Sequence, residues 1–134
     1  MIFVLDASAL MAFLDNEPGA DVVEGLLLDP ANTCFAHAVN LCEAYYVFHR
    51  KSGEAAAQNA VATLLAANVV FREDMDLDFW QEIGRLKSPR RSIPLGDCVC
   101  IVLAQRVSGE VVTSDHPDFD PISREGLCPV RFIR

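Results

Sequence analysis

The chain has 134 residues, 51% of them hydrophobic, and its 11 basic and 19 acidic residues give a net charge of −8 at pH 7 with neutral histidine. This length predicts one domain spanning residues 1–134, and the apolar content excludes a disordered chain. An acidic mean field repels phosphates, so any nucleic-acid binding needs a local feature that reverses that field.

The predicted strands and helices alternate along the chain. Short apolar runs rich in strand formers predict five strands, at residues 1–5, 33–36, 69–71, 111–113 and 130–133. Helical periodicity and the turn residues between these runs predict six helices, at residues 10–14, 20–28, 38–50, 54–67, 77–86 and 96–107. Alternating strands and helices without hairpin signals indicate an α/β fold whose parallel sheet is covered on both faces.

The chain shows no membrane span and no export signal. Its apolar N-terminal stretch is interrupted by Asp6 and is not preceded by basic residues. The five cysteines are an odd number without a Cys-x-x-Cys pair, which indicates small buried side chains in a reducing compartment. These features predict a cytoplasmic protein that does not bind membranes.

Four acidic residues fall where predicted strands pass into helices. Right-handed crossovers bring these junctions to the carboxyl edge of a parallel sheet, where ligands bind in such folds. Asp6 follows the first strand, Glu43 lies in the helix after the second, Asp97 begins the last predicted helix, and Asp115 follows the fourth strand. We therefore expect the four carboxylates to converge at one edge.

Three of these acids have an ordinary structural alternative. Asp6 is suited to cap a helix, Asp97 to interact with a helix dipole, and Asp115 to form a local turn. Glu43 is harder to explain in this way, because it is the only charged residue between positions 38 and 48, with Asn40 as its polar neighbour. An unpaired buried carboxylate is costly, so Glu43 either meets a cation or borders a solvated cleft.

Four clustered carboxylates repel one another unless a divalent cation neutralises them. Hard oxygen ligands without a well-placed imidazole or thiolate suit Mg²⁺ or Mn²⁺. Such a cation orients and polarises a phosphate ester and lowers the pKa of a bound water. The carboxylates therefore predict hydrolysis of phosphodiester bonds.

Four motifs, distributed over essentially the whole chain, resemble those of the PIN-domain nucleases and, among them, the VapC-type toxins of toxin–antitoxin pairs. The motifs are Asp6-Ala-Ser8-Ala-Leu10, Asn40-Leu-Cys-Glu43, Pro94-Leu-Gly-Asp97 and Val112-Thr-Ser-Asp115. The resemblance implies a three-layer α/β/α fold with strand order 3-2-1-4-5 and a Mg²⁺-dependent endoribonuclease. It also implies a homodimer and inhibition by a cognate antitoxin.

The resemblance also implies roles for individual residues. The metal-binding and catalytic acids would be Asp6, Glu43, Asp97 and Asp115, with Asp118 in reserve for the fourth position. The supporting polar residues would be Ser8, Asn40 and Thr113. Gly96 stands where the family more often has alanine, and we expect this difference to be harmless.

A cluster of basic residues precedes Asp97, and a histidine follows Asp115. The basic side chains either form solvated surface or guide RNA phosphates toward the site; they are Arg85, Lys87, Arg90 and Arg91. His116 either contacts phosphate or makes an ordinary hydrogen bond. The aromatic side chains of Tyr45, Tyr46 and Phe48 offer apolar surface that suits a second copy or an antitoxin.

Two other functions stay open. One is a PIN-fold nuclease that processes RNA without an antitoxin. The other is a receiver-like signalling module with an acidic pocket. A receiver needs a phosphoacceptor aspartate after the third strand and a lysine after the fifth, whereas the two lysines here, Lys51 and Lys87, fall at a helix end and in a loop. A phosphatase of the haloacid dehalogenase type needs a second aspartate at the position of Ser8.

Overall fold

The computed structural model describes residues 1–134, which form five strands and seven helices. The strands are Ile2–Leu5 (β1), Thr33–His37 (β2), Val70–Arg72 (β3), Glu110–Thr113 (β4) and Val130–Phe132 (β5). The helices are Ala7–Leu14 (α1), Ala20–Leu28 (α2), Ala38–Ser52 (α3), Glu54–Ala66 (α4), Leu77–Lys87 (α5), Leu95–Val107 (α6) and His116–Glu125 (α7). None of the helices has the length and hydropathy needed to cross a membrane.

All five strands are parallel and lie in the order β3-β2-β1-β4-β5. The central strand β1 pairs with two neighbours, so that Val4 lies between Phe35 and Val111. A central parallel strand is covered on both faces, which explains its continuous apolar sequence. The predicted α/β fold and strand order are confirmed.

Neighbouring residues of β1 pack into two different cores. Val4 belongs to an apolar cluster with α5, α6 and α7, whereas Phe3 and Leu5 belong to a second cluster with α1 and α2. Successive side chains of a strand point to opposite faces, so the sheet separates two helical layers. The fold therefore has the three α/β/α layers that the resemblance implied.

Helix α7 was not among the helices predicted from the sequence, and it contains prolines at positions 117 and 121. The structure places Pro117 in the first turn, where the missing N–H has no helical partner to lose. Asp115 caps the helix by accepting a hydrogen bond from the backbone N–H of Asp118, and Gly126 ends it with a φ of 70°. The sequence Asp115-His-Pro-Asp118 was the available signal for this helix start.

The prediction of five buried cysteines is wrong at one position. Cys42 is exposed, whereas the other four cysteines are buried. Helix α3 lies at the surface and buries only Asn40 and Ala44 completely, so position 42 lies on its outer face.

Candidate metal centre

The carboxyl ends of β1 and β4 meet at the edge of the sheet and carry the first two acids of the site. The backbone N–H of Asp6 donates to the carbonyl of Val112 at 3.1 Å, which joins the two strand ends. Asp6 directly follows β1, and Asp115 lies two residues beyond the end of β4. Two acids far apart in the sequence are thus presented at one edge.

Asp6 is buried and held by three hydrogen bonds. Its Oδ1 accepts from the Ser8 hydroxyl at 2.7 Å and from the backbone N–H of Ala9 at 2.9 Å, and its Oδ2 accepts from the Thr113 hydroxyl at 2.5 Å. Burial raises the pKa of Asp6, the hydrogen bonds oppose that rise, and the nearby charge of Asp115 adds to it. Asp6 is therefore the helix cap that its position suggested, with a carboxylate fixed in one orientation.

The predicted supporting residues Ser8 and Thr113 connect Asp6 with the chain around Asp115. Their hydroxyl oxygens are 3.2 Å apart. The backbone N–H of Ser114 donates to the Ser8 hydroxyl oxygen at 2.9 Å, and that of Asp115 donates to the Thr113 hydroxyl oxygen at 2.9 Å. The two hydroxyls thus position both Asp6 and the segment that follows β4.

Three carboxylates form the centre of the site. Asp97 from the first turn of α6, Asp115 and Asp118 each place a carboxylate oxygen within 4.8 Å of the other two. The pKa of Asp97 is raised to about 8, mainly by burial and in addition by its contact with Asp118 and the charge of Asp6. Burial also raises the pKa of Asp115. Asp115 and Asp118 lie side by side in this cluster.

Glu43 projects from α3 toward the start of α6. It is partly buried and makes no ion pair, so no cation of the protein neutralises it. Burial raises the pKa of Glu43, as does the charge of Asp6. A Cβ atom at Gly96 would overlap the Glu43 carboxylate. The glycine therefore makes room for Glu43, a role that was not expected from the sequence.

Asn40 lies one helical turn before Glu43 and is completely buried. Its amide nitrogen donates to the carbonyl of Gly96 at 3.1 Å, but its Oδ1 has no hydrogen-bond partner in the protein. A buried acceptor without a partner is costly and calls for a bound water or ligand. This orphaned oxygen and the raised carboxylate pKa values both fit a hydrated divalent cation with oxygen ligands.

His116 does not face this cluster. Its Nε2 lies 2.8 Å from the carbonyl oxygen of Arg134, its Nδ1 lies 3.1 Å from Asp120 Oδ1, and its ring stacks on Phe132. The carbonyl of Arg134 and the carboxylate of Asp120 raise the pKa of His116. Of the two alternatives for this residue, the structure shows the ordinary hydrogen bonds.

The four basic residues before Asp97 do not form one patch. Arg85 pairs with Glu82 on the exposed face of α5. Lys87 donates to the carbonyls of Arg91 and Ile93, at 2.9 and 2.6 Å. The partners of Arg90 are Glu125 and the carbonyl of Leu86. Only the side chain of Arg91 has no partner within the chain.

Comparison with known proteins identifies the family. The family model described as PIN domain matches residues 3–124. The chain belongs to the PIN domain family. The resemblance stated from the four motifs is thereby confirmed, and the receiver-like alternative is not supported.

Solved structures share this PIN fold at low sequence identity. VapBC2 from Rickettsia felis, bound to a DNA fragment from its promoter, is 15% identical with a TM-score of 0.76, and 98% of each chain is covered. VapC20 from Mycobacterium tuberculosis, a toxin that cleaves the sarcin–ricin loop, is 19% identical with a TM-score of 0.72, covering 91% of this chain and 95% of that one. A toxin–antitoxin complex from Klebsiella pneumoniae is 16% identical with a TM-score of 0.72, covering 98% and 97%. No curated protein matches the PIN domain chain in sequence.

Proposed function

We propose that residues 1–134 form one nuclease domain that hydrolyses RNA phosphodiester bonds with Mg²⁺, as the toxin of a toxin–antitoxin pair. The observation that carries this proposal is the cluster of Asp97, Asp115 and Asp118 at the sheet edge of a PIN domain. The similar structures, which include toxin–antitoxin complexes and a toxin that cleaves RNA of the sarcin–ricin loop, support the same conclusion.

In this proposal Asp97, Asp115 and Asp118 hold the cation, with Asp6 and Glu43 completing the acidic surroundings. A bound divalent cation polarises the phosphate and lowers the pKa of a coordinated water. All of these ligand groups are oxygen donors, which favours Mg²⁺ and allows Mn²⁺ to replace it.

The remaining residues position the carboxylates and the attacking water. Ser8 and Thr113 fix the Asp6 carboxylate through hydrogen bonds on both of its oxygens. Asn40 Oδ1, buried without a partner, would accept a hydrogen bond from a bound water. Glu43 has a pKa raised by burial, which suits it to take a proton from that water.

A protein partner is proposed for the outer face of α3 and α4. A groove of about 330 Å³ there is lined only by apolar side chains, from Ala38, Leu41, Cys42, Tyr45, Val61 and Phe71. Exposed apolar grooves of this kind favour binding of another protein. A second copy or the antitoxin would cover it, as expected from the aromatic residues of α3.

The deciding experiment is cleavage of a panel of structured RNAs, including a sarcin–ricin hairpin, with Mg²⁺ or Mn²⁺. The wild type is compared with Asp6→Asn and Asp97→Asn, and with Asp21→Asn, which changes an exposed acid in the first turn of α2. We expect cleavage by the wild type and Asp21→Asn only, and none after the metal is chelated. Equal cleavage by all four proteins would overturn the proposal.

The toxin role has a separate test. A small protein encoded beside this chain is co-expressed with it, and RNA cleavage is measured for the chain alone and for the purified complex. We expect the complex to form and to be inactive. An active chain whose neighbouring gene product neither binds nor inhibits it would instead be an RNA-processing nuclease.

A further inference from the structure

We propose that a groove beside the metal centre binds the phosphate backbone of the RNA strand next to the scissile bond, and that Arg91 is its phosphate contact. This inference rests on the proposed hydrolysis of RNA and adds the site that holds the flanking part of the strand. Of the four basic residues that precede Asp97, only Arg91 is assigned this contact.

The groove lies between the loop that joins α5 to α6 and the N-terminal half of α7. Its volume is about 410 Å³. Arg91 and Ser92 line the loop side, and Pro117, Asp118 and Pro121 line the α7 side. Asp118 also belongs to the carboxylate cluster, so the groove is continuous with the metal centre. A strand with its scissile phosphate at the cluster would extend directly into this groove.

Two neighbouring cations fix the loop that carries Arg91. Lys87 Nζ donates to the backbone carbonyls of Arg91 and Ile93, on both sides of Ser92. Arg90 donates to the carbonyl of Leu86 at 3.0 Å and pairs with Glu125 of α7 at 2.5 Å. The side chain of Ile93 is buried in the core. The loop is therefore held to α5 and α7 before any ligand binds, which lowers the entropic cost of binding.

Arg91 is the basic side chain of this loop that stays available. Its guanidinium is exposed and makes no ion pair or hydrogen bond within the chain. The other wall residues with charge are already compensated or close to the cation site, because Glu125 pairs with Arg90 and Asp118 belongs to the metal cluster. A guanidinium in a polar groove favours a phosphate, which it can bind through two parallel hydrogen bonds.

The metal centre and Arg91 together would allow a chain with a net charge of −8 to attract RNA. An acidic chain repels a nucleic acid in general, so attraction has to be local. The metal centre supplies one such position for the scissile phosphate, and Arg91 supplies a second beside it. The rest of the surface then contributes little to RNA binding.

The test measures binding of a short fluorescent single-stranded RNA in an Asp97→Asn background, which prevents cleavage. Arg91→Ala is compared with Arg91→Lys and with Arg50→Ala. The control removes the same charge from the last turn of α3, where Arg50 lies over the ring of Tyr46. We expect Arg91→Ala to weaken binding at low salt and to reduce the slope of log K against log salt by about 0.7, the value for one phosphate contact on a single strand. Arg91→Lys keeps most of the slope, and Arg50→Ala leaves it unchanged.

An unchanged slope in Arg91→Ala, or an equal loss in Arg50→Ala, would overturn the assignment of the groove. The melting temperature of Arg91→Ala should equal that of the parent, because the exposed side chain makes no hydrogen bond or ion pair within the chain. RNA cleavage is measured in parallel with the chain that keeps Asp97. If RNA is cleaved but the salt slope of Arg91→Ala is unchanged, only the groove assignment is rejected. If Arg91→Ala reduces the slope as expected but no RNA is cleaved, the proposed hydrolysis is rejected.

Discussion

The Thr113 hydroxyl donates to Asp6 Oδ2 at 2.5 Å and so joins two buried side chains that are 107 residues apart. The same hydroxyl oxygen accepts from the backbone N–H of Asp115 at 2.9 Å. One threonine at the end of β4 thus positions the acid that follows β1 and the segment that leads into α7. The geometry of the metal centre depends on this contact.

We predict that Thr113→Val destabilises the protein by roughly 1–3 kcal/mol, because valine keeps the shape but leaves buried polar groups of Asp6 and Asp115 without a partner. Urea unfolding measures the change. Thr63→Val is the matched control, since the Thr63 hydroxyl donates to the carbonyl of Asn59 on an exposed helix. We expect that control to stay within about 0.5 kcal/mol of the wild type. Equal losses in the two variants would contradict a special role for Thr113.

Thermal unfolding tests the cation site without RNA. We expect Mg²⁺ to raise the melting temperature of the wild type, because a ligand that binds only the native state adds about 2.7 kcal/mol at a hundredfold excess over its Kd. Asp97→Asn should lose most of this response, because Asp97 is one of the three carboxylates of the cluster. Asp21→Asn, in an exposed part of α2, should keep it.

Thermal unfolding of Asp97→Asn is also compared with that of the wild type in the absence of Mg²⁺. Burial and neighbouring acids raise the pKa of Asp97, so its charged form is unfavourable in the metal-free protein. Asp97→Asn should then be at least as stable as the wild type without the cation. If Mg²⁺ raised the melting temperature of Asp97→Asn as much as that of the wild type, Asp97 would have no role beyond that of an acid in the first turn of α6.

The parallel sheet and the meeting of acids from distant segments could be predicted from strand alternation and crossover handedness. The order of the strands was implied by the resemblance of the four motifs to the PIN-domain nucleases. The partners of the basic residues could not be predicted. Glu125 lies 35 residues from Arg90, and the backbone carbonyls that bind Lys87 exist as acceptors only once the loop has folded. A charge cluster in a sequence does not reveal which of its members stay free.

The position of Asp118 beside Asp115 was also not predicted from the sequence. Its place beside Asp115 depends on α7, a helix that was not predicted and that contains two prolines. Pro117 is compatible with a first turn, so the capping pattern at Asp115 was the stronger signal. That pattern places Asp115 and Asp118 at one helix end, where their carboxylates lie close together.

The contact between Gly96 and Glu43 gives a prediction in which activity and stability separate. Gly96→Ala would force the Glu43 carboxylate away from the start of α6, because the new Cβ would occupy its place. The end of a glutamate side chain can rotate, so we expect little change in stability. We expect RNA cleavage to fall by about tenfold, equivalent to roughly 1.4 kcal/mol in the activation free energy.

Gly84→Ala is the matched control for this variant, because a Cβ at that position in α5 meets no other atom. An alanine there should stabilise the helix by roughly 0.5–1 kcal/mol without changing cleavage. Undiminished cleavage by Gly96→Ala would show that the present position of the Glu43 carboxylate is not needed for activity.

The last prediction concerns acid stability at Asp74, which is not part of the carboxylate cluster. Two nitrogens of Arg72 donate to its carboxylate at 2.8 Å each, and Arg106 donates to it at 3.1 Å. The hydrogen bonds from Arg72, and then those from Arg106, hold the pKa of Asp74 at about 2, below its ordinary value of 3.8. The unfolded chain therefore binds the proton more tightly, so the stabilisation is complete above pH 3.8 and disappears as the pH falls toward 2.

Asp74→Asn should lose roughly 1–3 kcal/mol at neutral pH, and this difference from the wild type should shrink in acid. Urea unfolding across the pH range measures it, with Glu24→Gln on the exposed face of α2 as the control. A difference that is the same at every pH would show that Asp74 acts through packing and not through its charge.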